Sequence, residues 1–474
     1  MNLPEAFIRR LKAQRPNDYD ALIDSFEGET FQGLRINTLK IDVHTFLEKF
    51  PYPLTPVPWT TDGFYYRAED PVTKHPYYHA GLYYIQEPSA MAPIGTLELE
   101  ADQFCLDLCA APGGKSLQLA TGTHDEGFLV TNDISDKRVK AIVRNVERFG
   151  LRNVLVLNET PERIASCFGA IFDHVLVDAP CSGEGMFRKD PKAVSAWAVY
   201  ENDRCQTMQA DILRTMKTLV KTEGRLTYST CTFAPQENES QMKAFLEANQ
   251  DFEMIAINQK LASTGIEIDN FQMRLLPHLI DGEGHYIARL VRRGNTPDAG
   301  DDKCNDHIRT SDSGRDYDEA MSHHQSRHSV QSRYTVADKP PEPVAAFMKT
   351  HLTTPLTGRF KTVKERVYLL PMYDYPINGL KVAREGLYLG DIKGTRFTPS
   401  QALALYLKAS QFIQKIELPS NGSAILKYLK CETLHVEHEG KGLHLVTTDG
   451  YPVGFCKLDR GVLKNLYPAS WRMF

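Results

Sequence analysis

Three short stretches of this chain place reactive residue types at the ends of apolar runs. The first, Phe104-Cys-Leu-Asp-Leu-Cys-Ala-Ala-Pro-Gly-Gly-Lys115-Ser, passes from a strand through small residues into a helix. Gly113 and Gly114 accept backbone conformations that a side chain forbids, so the chain can pass close to a ligand. A helix opening at Lys115 presents unpaired N–H groups and the positive end of its dipole, which suits an anionic group such as a carboxylate. The spacing is neither GxGxxG nor GxxxxGK[ST], which weighs against NAD and ATP. Asp133 closes the next strand about 20 residues on, where an acid suits a ribose diol.

The other two stretches are Asp178-Ala-Pro-Cys181-Ser-Gly and Tyr228-Ser-Thr-Cys231-Thr. If both follow central parallel strands, the two thiols emerge on the rim that carries the glycine turn, with Asp178 and Lys115 in the same crevice. A thiolate is a strong nucleophile, and a neighbouring lysine favours its formation. Pro180 holds the backbone out of the regular ladder and presents Cys181. A lone buried cysteine is ordinarily a small hydrophobe, which is the reading for Cys105, Cys109, Cys167, Cys205, Cys431 and Cys456; Cys304 reads as an exposed bystander. A thiol pair beside a nucleoside ligand has one demanding use. Carbon 5 of a pyrimidine is a poor nucleophile until a thiolate adds at carbon 6; it can then attack a sulfonium methyl. A second base must remove the carbon-5 proton before the thiol leaves, and an acid near ring nitrogen 3 stabilises the adduct.

The elements that position these residues follow from periodicity. Apolar runs at 104–108, 128–131, 154–157, 175–177 and 225–228 read as buried strands, with helical stretches at 115–121, 137–149 and 193–221 between most of them, and 285–291 closes the series. Alternation of this kind predicts a parallel, doubly wound α/β sheet with ligands at the carboxyl ends of its strands. Residues 1–98 begin helical and turn extended, and 51–84 reads mostly as loop. Residues 294–343 are a polar linker whose His307, His323, His324 and His328 lack the framework of a metal site. Residues 344–398 look β-rich, 399–414 reads as an amphipathic helix, and 444–474 as a small β-barrel.

Composition sets the outer limits. At 474 residues, with 42% hydrophobic and 24% charged, the chain is a globular protein of several domains. It has no run suited to a membrane span, and its charged amino terminus argues for a cytosolic protein. Nine cysteines without zinc-finger spacing exclude a disulfide scaffold. The net charge of −5 conceals an asymmetry: residues 344–474 hold 18 Lys and Arg against 10 Asp and Glu, so the rest is acidic. A basic accessory region of this kind suits phosphates.

Asp-Leu-Cys-Ala-Ala-Pro-Gly-Gly-Lys115, Asp178-Ala-Pro-Cys-Ser-Gly and Ser-Thr-Cys231 followed by Glu237-Asn238-Glu239 together resemble the Nop/Sun-type RNA cytosine-5 methyltransferases over residues 35–291. The long C-terminal extension is similar to that of the bacterial branch acting on 16S ribosomal RNA. The resemblance implies S-adenosyl-L-methionine as cofactor, with Cys231 as nucleophile, Cys181 as the base that releases product, Asp178 at the target base and Lys115 assisting. DNA enzymes use the Pro-Cys thiol for attack instead. Cys109, Ala110, Ala111, Pro112, Gly113, Gly114 and Lys115 would line the cofactor together with Asp178; Asp133 would hold its ribose and Arg138 would lie near its carboxylate. Where the family commonly has an aspartate beside the adenine, this chain reads Asn158-Glu159-Thr160-Pro161, and Glu159 is the candidate substitute.

The implied fold is a Rossmann-like methyltransferase sheet (99–293) with an N-terminal α+β RNA-binding extension (1–98), the linker, an intermediate domain (344–396) and a β-rich PUA-like RNA-binding domain (397–474). The expected partner is RNA, 16S ribosomal RNA or the small subunit, with neither DNA nor membrane. The same chemistry on tRNA, or a catalytically silent ribosome-assembly factor, are the alternatives. Tyr77, Tyr78, Tyr83 and Tyr84 either stack on splayed bases or pack inside the protein.

Overall fold

The computed structural model describes residues 2–199, 203–257, 267–269, 271–294 and 334–474. The stretch holding Cys304 and the four linker histidines lies outside the described residues.

The leading residues form an antiparallel sheet from β1 (Gln32–Ile36), β2 (Thr55–Pro56), β3 (Gly63–Tyr66) and β4 (Tyr83–Ile85), ordered β2-β3-β1-β4. Residues 51–84, read from sequence as loop, thus supply three strands and the short helix Pro76–His79. Proline and tyrosine obscured a strand signal that depends on pairing partners far along the chain. Tyr77 and Tyr83 are buried, and Tyr83 meets Phe46 and Phe50 edge to face. The aromatic run packs inside the protein, and these two rings are unavailable for stacking on bases.

The central sheet is built from β5 (Phe104–Asp107), β6 (Phe128–Asn132), β7 (Val154–Leu157), β8 (Phe172–Asp178) and β9 (Val220–Thr230), which are mutually parallel in the order β9-β8-β5-β6-β7. Their near-continuous apolar runs follow from burial on both faces. Beyond β9 lie β10 (Phe252–Met254), β11 (Glu267–Asp269), β12 (Gln272–Leu275) and β13 (His285–Arg292), with β13 antiparallel to β9. Helix Asp136–Phe149 buries Val139, Ile142, Val146 and Phe149 at helical spacing and ends at Gly150, whose φ of +72° suits glycine. The helical stretch expected at 193–221 is two helices, Pro191–Val199 and Asp203–Met216, and the chain is already extended at Val220.

The C-terminal part differs most from the sequence reading. It opens with β14 (Tyr334–Ala337) and helix Glu342–His351, and continues through β15 (Phe360–Val363), β16 (Arg366–Leu369), β17 (Val382–Glu385), β18 (Leu387–Lys393) and β19 (Arg396–Pro399). Of these, β17 leaves its neighbours and pairs antiparallel with β7, closing the edge of the central sheet. Phe397 pairs with Ile392 in this third sheet. The amphipathic helix expected at 399–414 is only Gln401–Tyr406, capped by Ser400 Oγ accepting from Leu403 N–H, followed by a short turn at Ala409–Gln411.

The last sheet, β20 (Lys415–Glu417), β21 (Leu434–His435), β22 (Gly442–Thr448), β23 (Tyr451–Asp459) and β24 (Val462–Asn465), has the order β20-β22-β23-β24-β21. It shares one core with the first module: Leu34, Ile36, Phe46 and Tyr77 lie in the same cluster as Ile425, Tyr428, Val446 and Val453. The Tyr77 hydroxyl donates to Asp449 at 2.8 Å. The two ends of the chain therefore fold against each other.

Candidate active site

The glycine turn is fixed from both sides. Gly113 sits at φ +106° just before helix Gly114–Gly122, a conformation that a side chain would strain. A Cβ on Gly114 would lie 2.7 Å from Tyr84 Cε1, so the turn passes hard against the first module. Arg35 from β1, fully buried, donates to the Gly114 carbonyl at 3.2 Å, to Gln86 Oε1 at 3.2 Å and to Asp62 Oδ2 at 3.2 Å. Beneath the turn, Ser116 Oγ donates to Asp107 Oδ2 at 2.5 Å, while Asp107 Oδ1 has no partner. Burial pushes the Asp107 carboxyl up to about 7, the Ser116 hydrogen bond offsetting only part of that cost.

Asp133, at the end of β6, adjoins the turn. Its Oδ1 accepts from Ser135 N–H at 2.9 Å, and its Oδ2 lies 3.3 Å from Ala111 N and 3.4 Å from Arg138. Arg138 donates to the Ala111 carbonyl at 2.7 Å, and Asn145 from the same helix donates to that of Pro112 at 2.8 Å. Ala110 N–H donates to the Asn132 carbonyl at 2.8 Å, joining the turn to β6. Cys109 is half-buried, and burial raises its thiol far above the usual range. Glu159 does not fit the part suggested for it at an adenine. Its buried carboxylate accepts from Lys381 N–H at 2.6 Å and pairs with Arg163 at 3.0 Å, so it tethers the chain leading into β17.

Lys115, Asp178, Cys181 and Cys231 meet in one crevice at the carboxyl ends of β8 and β9. Lys115 Nζ donates to Asp178 Oδ2 at 2.8 Å, and Ser229 Oγ to Asp178 Oδ1 at 2.7 Å. His285 Nε2, from the antiparallel β13, stands 3.4 Å from the same Oδ1. Burial alone would raise the Asp178 carboxyl, but Lys115 and His285 overcome it and hold the group well below the usual carboxylate range. The Lys115 ammonium loses stability by burial and regains more from Asp178, so it stays charged.

The sulfurs of Cys181 and Cys231 are 3.4 Å apart and both are free thiols. Contact with Cys231, followed by burial, lifts the Cys181 thiol well above its ordinary range. Cys231, for its part, also interacts with the Lys115 ammonium. Both loops are clamped. Glu237 Oε2 accepts from Ser182 N–H at 2.9 Å and Gln209 Nε2 at 3.0 Å, and Gly185 N–H donates to the Cys231 carbonyl at 2.9 Å. Gly185 has no room for a Cβ, which would fall 2.9 Å from the Glu283 carbonyl and 3.1 Å from that of Cys231.

Such a crevice can present one nucleophilic sulfur, a second sulfur at contact distance and a fixed ion pair to a planar ring. The adjoining turn suits a zwitterionic nucleoside: helix N–H groups and Arg138 for a carboxylate, and Asp133 for a diol. Sequence reasoning missed Arg35, Ser229, Gln209 and His285 as parts of the site. Each acts through a contact with a residue at least 28 positions away, which no local spacing signals. No group of His, Cys, Asp and Glu among the described residues could hold a metal ion, and no helix among them is long and apolar enough to cross a membrane.

Four family descriptions match the chain in succession. They are the N-terminal domain of 16S rRNA methyltransferase RsmF at residues 3–88, 16S rRNA methyltransferase RsmB/F at 94–291, the RsmF rRNA methyltransferase first C-terminal domain at 346–407, and the methyltransferase RsmF PUA domain at 415–473. Ribosomal RNA small subunit methyltransferase F of Escherichia coli and of Escherichia fergusonii are each 32% identical to it over 308 residues, covering 62% of this chain. The chain spans 64% of the length of these curated relatives. Among solved structures, a methyltransferase homolog protein from Pyrococcus horikoshii is similar with a TM-score of 0.54 and 27% identity, over 61% of this chain and 95% of its own. NSun6 from Pyrococcus horikoshii, solved with SFG, shares the fold with a TM-score of 0.52 and 17% identity, over 62% of this chain and 99% of its own.

Proposed function

We propose, for a chain that belongs to the RsmB/F family of 16S rRNA methyltransferases, that it methylates carbon 5 of a cytosine in 16S ribosomal RNA through a covalent cysteine adduct, as a cytoplasmic enzyme. The observation that carries this reading is the 3.4 Å contact between Cys181 and Cys231 beside the Lys115–Asp178 pair. S-adenosyl-L-methionine fits the adjoining turn, held by residues 109–115, Asp133 and Arg138, and when bound supplies a sulfonium methyl to an electron-rich carbon.

Cys231, its proton released to solvent, forms a bond from sulfur to carbon 6 of the cytosine beside the Lys115 ammonium. The displaced ring electrons make carbon 5 nucleophilic, and the ionised Asp178 orients the ring by accepting from its exocyclic amine. Attack changes the second thiol. Once Cys231 is a thioether, the thiol contact that raised Cys181 most is gone, and Cys181 releases its own proton to solvent. Cys181 then takes the proton from the methylated carbon 5, the carbon 5–carbon 6 double bond re-forms, and Cys231 leaves with the electrons of its bond to carbon 6. The target base must be unstacked for this, since carbon 6 of a base inside a duplex is out of reach of a side-chain thiol.

The test is methyl transfer from labelled S-adenosylmethionine to 16S ribosomal RNA by wild type and Cys231→Ala, with bisulfite mapping of the product. The expected result is a single class of 5-methylcytosine made by wild type and lost in the variant. Methylation that persists in Cys231→Ala, or a label that maps to a nitrogen or ribose, refutes the reading.

A further inference from the structure

The C-terminal half of helix Asp136–Phe149, the helix Pro76–His79 and residues 471–474 line an open depression of about 390 Å³, within the usual range for small-ligand sites. Its cations are Lys74, Arg144, Arg148 and Arg472, and no aspartate or glutamate lines it. Arg148 is the central one. The residue is only 6% exposed, its Nε has no hydrogen-bond partner, and no carboxylate among the described residues forms an ion pair with it. Its guanidinium stands instead over two aromatic rings, 4.3 Å from the centroid of Tyr78 and 5.4 Å from that of Trp471. Arg144 lies 5.3 Å from the same Trp471 ring and donates to the Ser470 carbonyl at 3.0 Å.

A second, half-buried cation stands behind the first. Lys40 Nζ donates to the carbonyls of Ala80 and Arg148 at 2.8 and 3.0 Å, and burial together with the Arg148 charge pulls its ammonium down to about 7. In the wall of the depression, His79 Nε2 is buried without a partner while Nδ1 meets the Tyr467 hydroxyl at 3.1 Å. Desolvated cations without an acid are costly, and the aromatic faces offset only part of that cost. An incoming anion would supply the missing counter-charge. The arrangement is also joined to the catalytic turn, because Asn145, next to Arg144, holds the Pro112 carbonyl.

We infer that this junction is a subsite for a backbone phosphate of the RNA substrate, received by Arg144, Arg148 and Arg472 where the first, central and last modules meet. The inference rests on the RNA-methylating reading above and adds where the strand is gripped. Arginine is suited to this task, since its planar fork binds phosphate oxygens in pairs while its face stacks on tryptophan and tyrosine.

The test uses the full chain and the double variant Arg144→Ala/Arg472→Ala, whose side chains are exposed and do not hold the core together, with Arg148→Lys as a second, conservative change. Binding of a fluorescein-labelled single-stranded 16S fragment is followed by anisotropy across a salt series. The expected result is an affinity lower by about tenfold or more. The slope of log affinity against log salt should fall by about 0.7 for each phosphate that the variant no longer neutralises. KM for RNA should rise with kcat and S-adenosylhomocysteine affinity unchanged. If wild type methylates RNA and the variants keep its affinity and salt slope, the subsite is refuted and the proposed function stands. If inorganic phosphate alone raises the melting temperature of wild type but not of the variants while RNA affinity is equal, the site serves a free anion and the inference is again overturned. A wild type that neither binds nor methylates RNA overturns both.

Discussion

Cys181→Ala separates the two sulfur roles most sharply. The thiols are 3.4 Å apart, so when Cys231 is bonded to carbon 6 the Cys181 sulfur remains beside carbon 5 and within reach of its proton. Among the described residues, the polar groups nearest to it are engaged elsewhere. Asp178 is engaged by Lys115 and Ser229, and the Ser182 and Thr232 hydroxyls hydrogen-bond each other at 2.7 Å. Loss of a positioned base ordinarily slows a proton transfer by about 10²- to 10⁴-fold. That corresponds to about 3–5 kcal/mol on the release barrier. Attack and methyl transfer do not need Cys181, so release becomes limiting and the adduct should build up to nearly one equivalent. The assay is a denaturing gel of 16S fragment and enzyme over time, with turnover measured in parallel. An adduct in Cys231→Ala but none in Cys181→Ala would reverse the assignment. Turnover by Cys181→Ala within threefold of wild type would refute a base at this position altogether.

Three further outcomes are expected. Gly114→Ala forces a Cβ to within 2.7 Å of Tyr84; the strain should cost about 1–3 kcal/mol and weaken S-adenosylhomocysteine binding by calorimetry. Adding Tyr84→Ala should recover part of that binding, and a binding-competent single variant would contradict the close approach. Asp107 has a folded-state pKa raised to about 7, so below pH ~4 the carboxyl is neutral in both states, and between there and 7 the native protein holds a proton that the unfolded chain has released. Wild-type stability should therefore fall with rising pH in that window, by about 1.4 kcal/mol per pH unit, and the advantage of Asp107→Asn should grow across it and level off above. Thermal unfolding at a series of pH values checks this, and a pH-independent difference refutes it. Truncation after Pro343 removes β17 from β7 and takes away the C-terminal side of the core shared by the first and last modules; the remainder should aggregate or lose its near-ultraviolet circular dichroism. A monodisperse, cooperatively melting truncate would mean that this packing is dispensable.

Local pattern carried much of the central sheet. The run Val154–Leu157 is entirely apolar and entirely buried, and the helix over Asp136–Phe149 announces itself by spacing and by Gly150. The motif residues were legible for the same reason: chemistry at strand ends needs particular side chains at fixed short offsets. What stayed hidden depends on distant partners. The strands within residues 51–84 exist because β1 pairs with both β3 and β4. His285 reads as the first residue of an apolar strand, and only the antiparallel register of β13 with β9 brings it to Asp178. Glu159 stands where the resemblance leaves an aspartate missing, and its carboxylate accepts from the backbone N–H of Lys381, 222 residues later.

The pairing of β7 with β17 also sets an order of events during synthesis. The edge of the central sheet is made early and its cover arrives more than 200 residues later, so a nascent chain leaves the ribosome with an open strand that invites the wrong neighbour. Closure over that sequence distance is entropically slow. The central sheet therefore has to survive unfinished until β17 has been translated, and that strand is the stitch that makes the earlier fold safe.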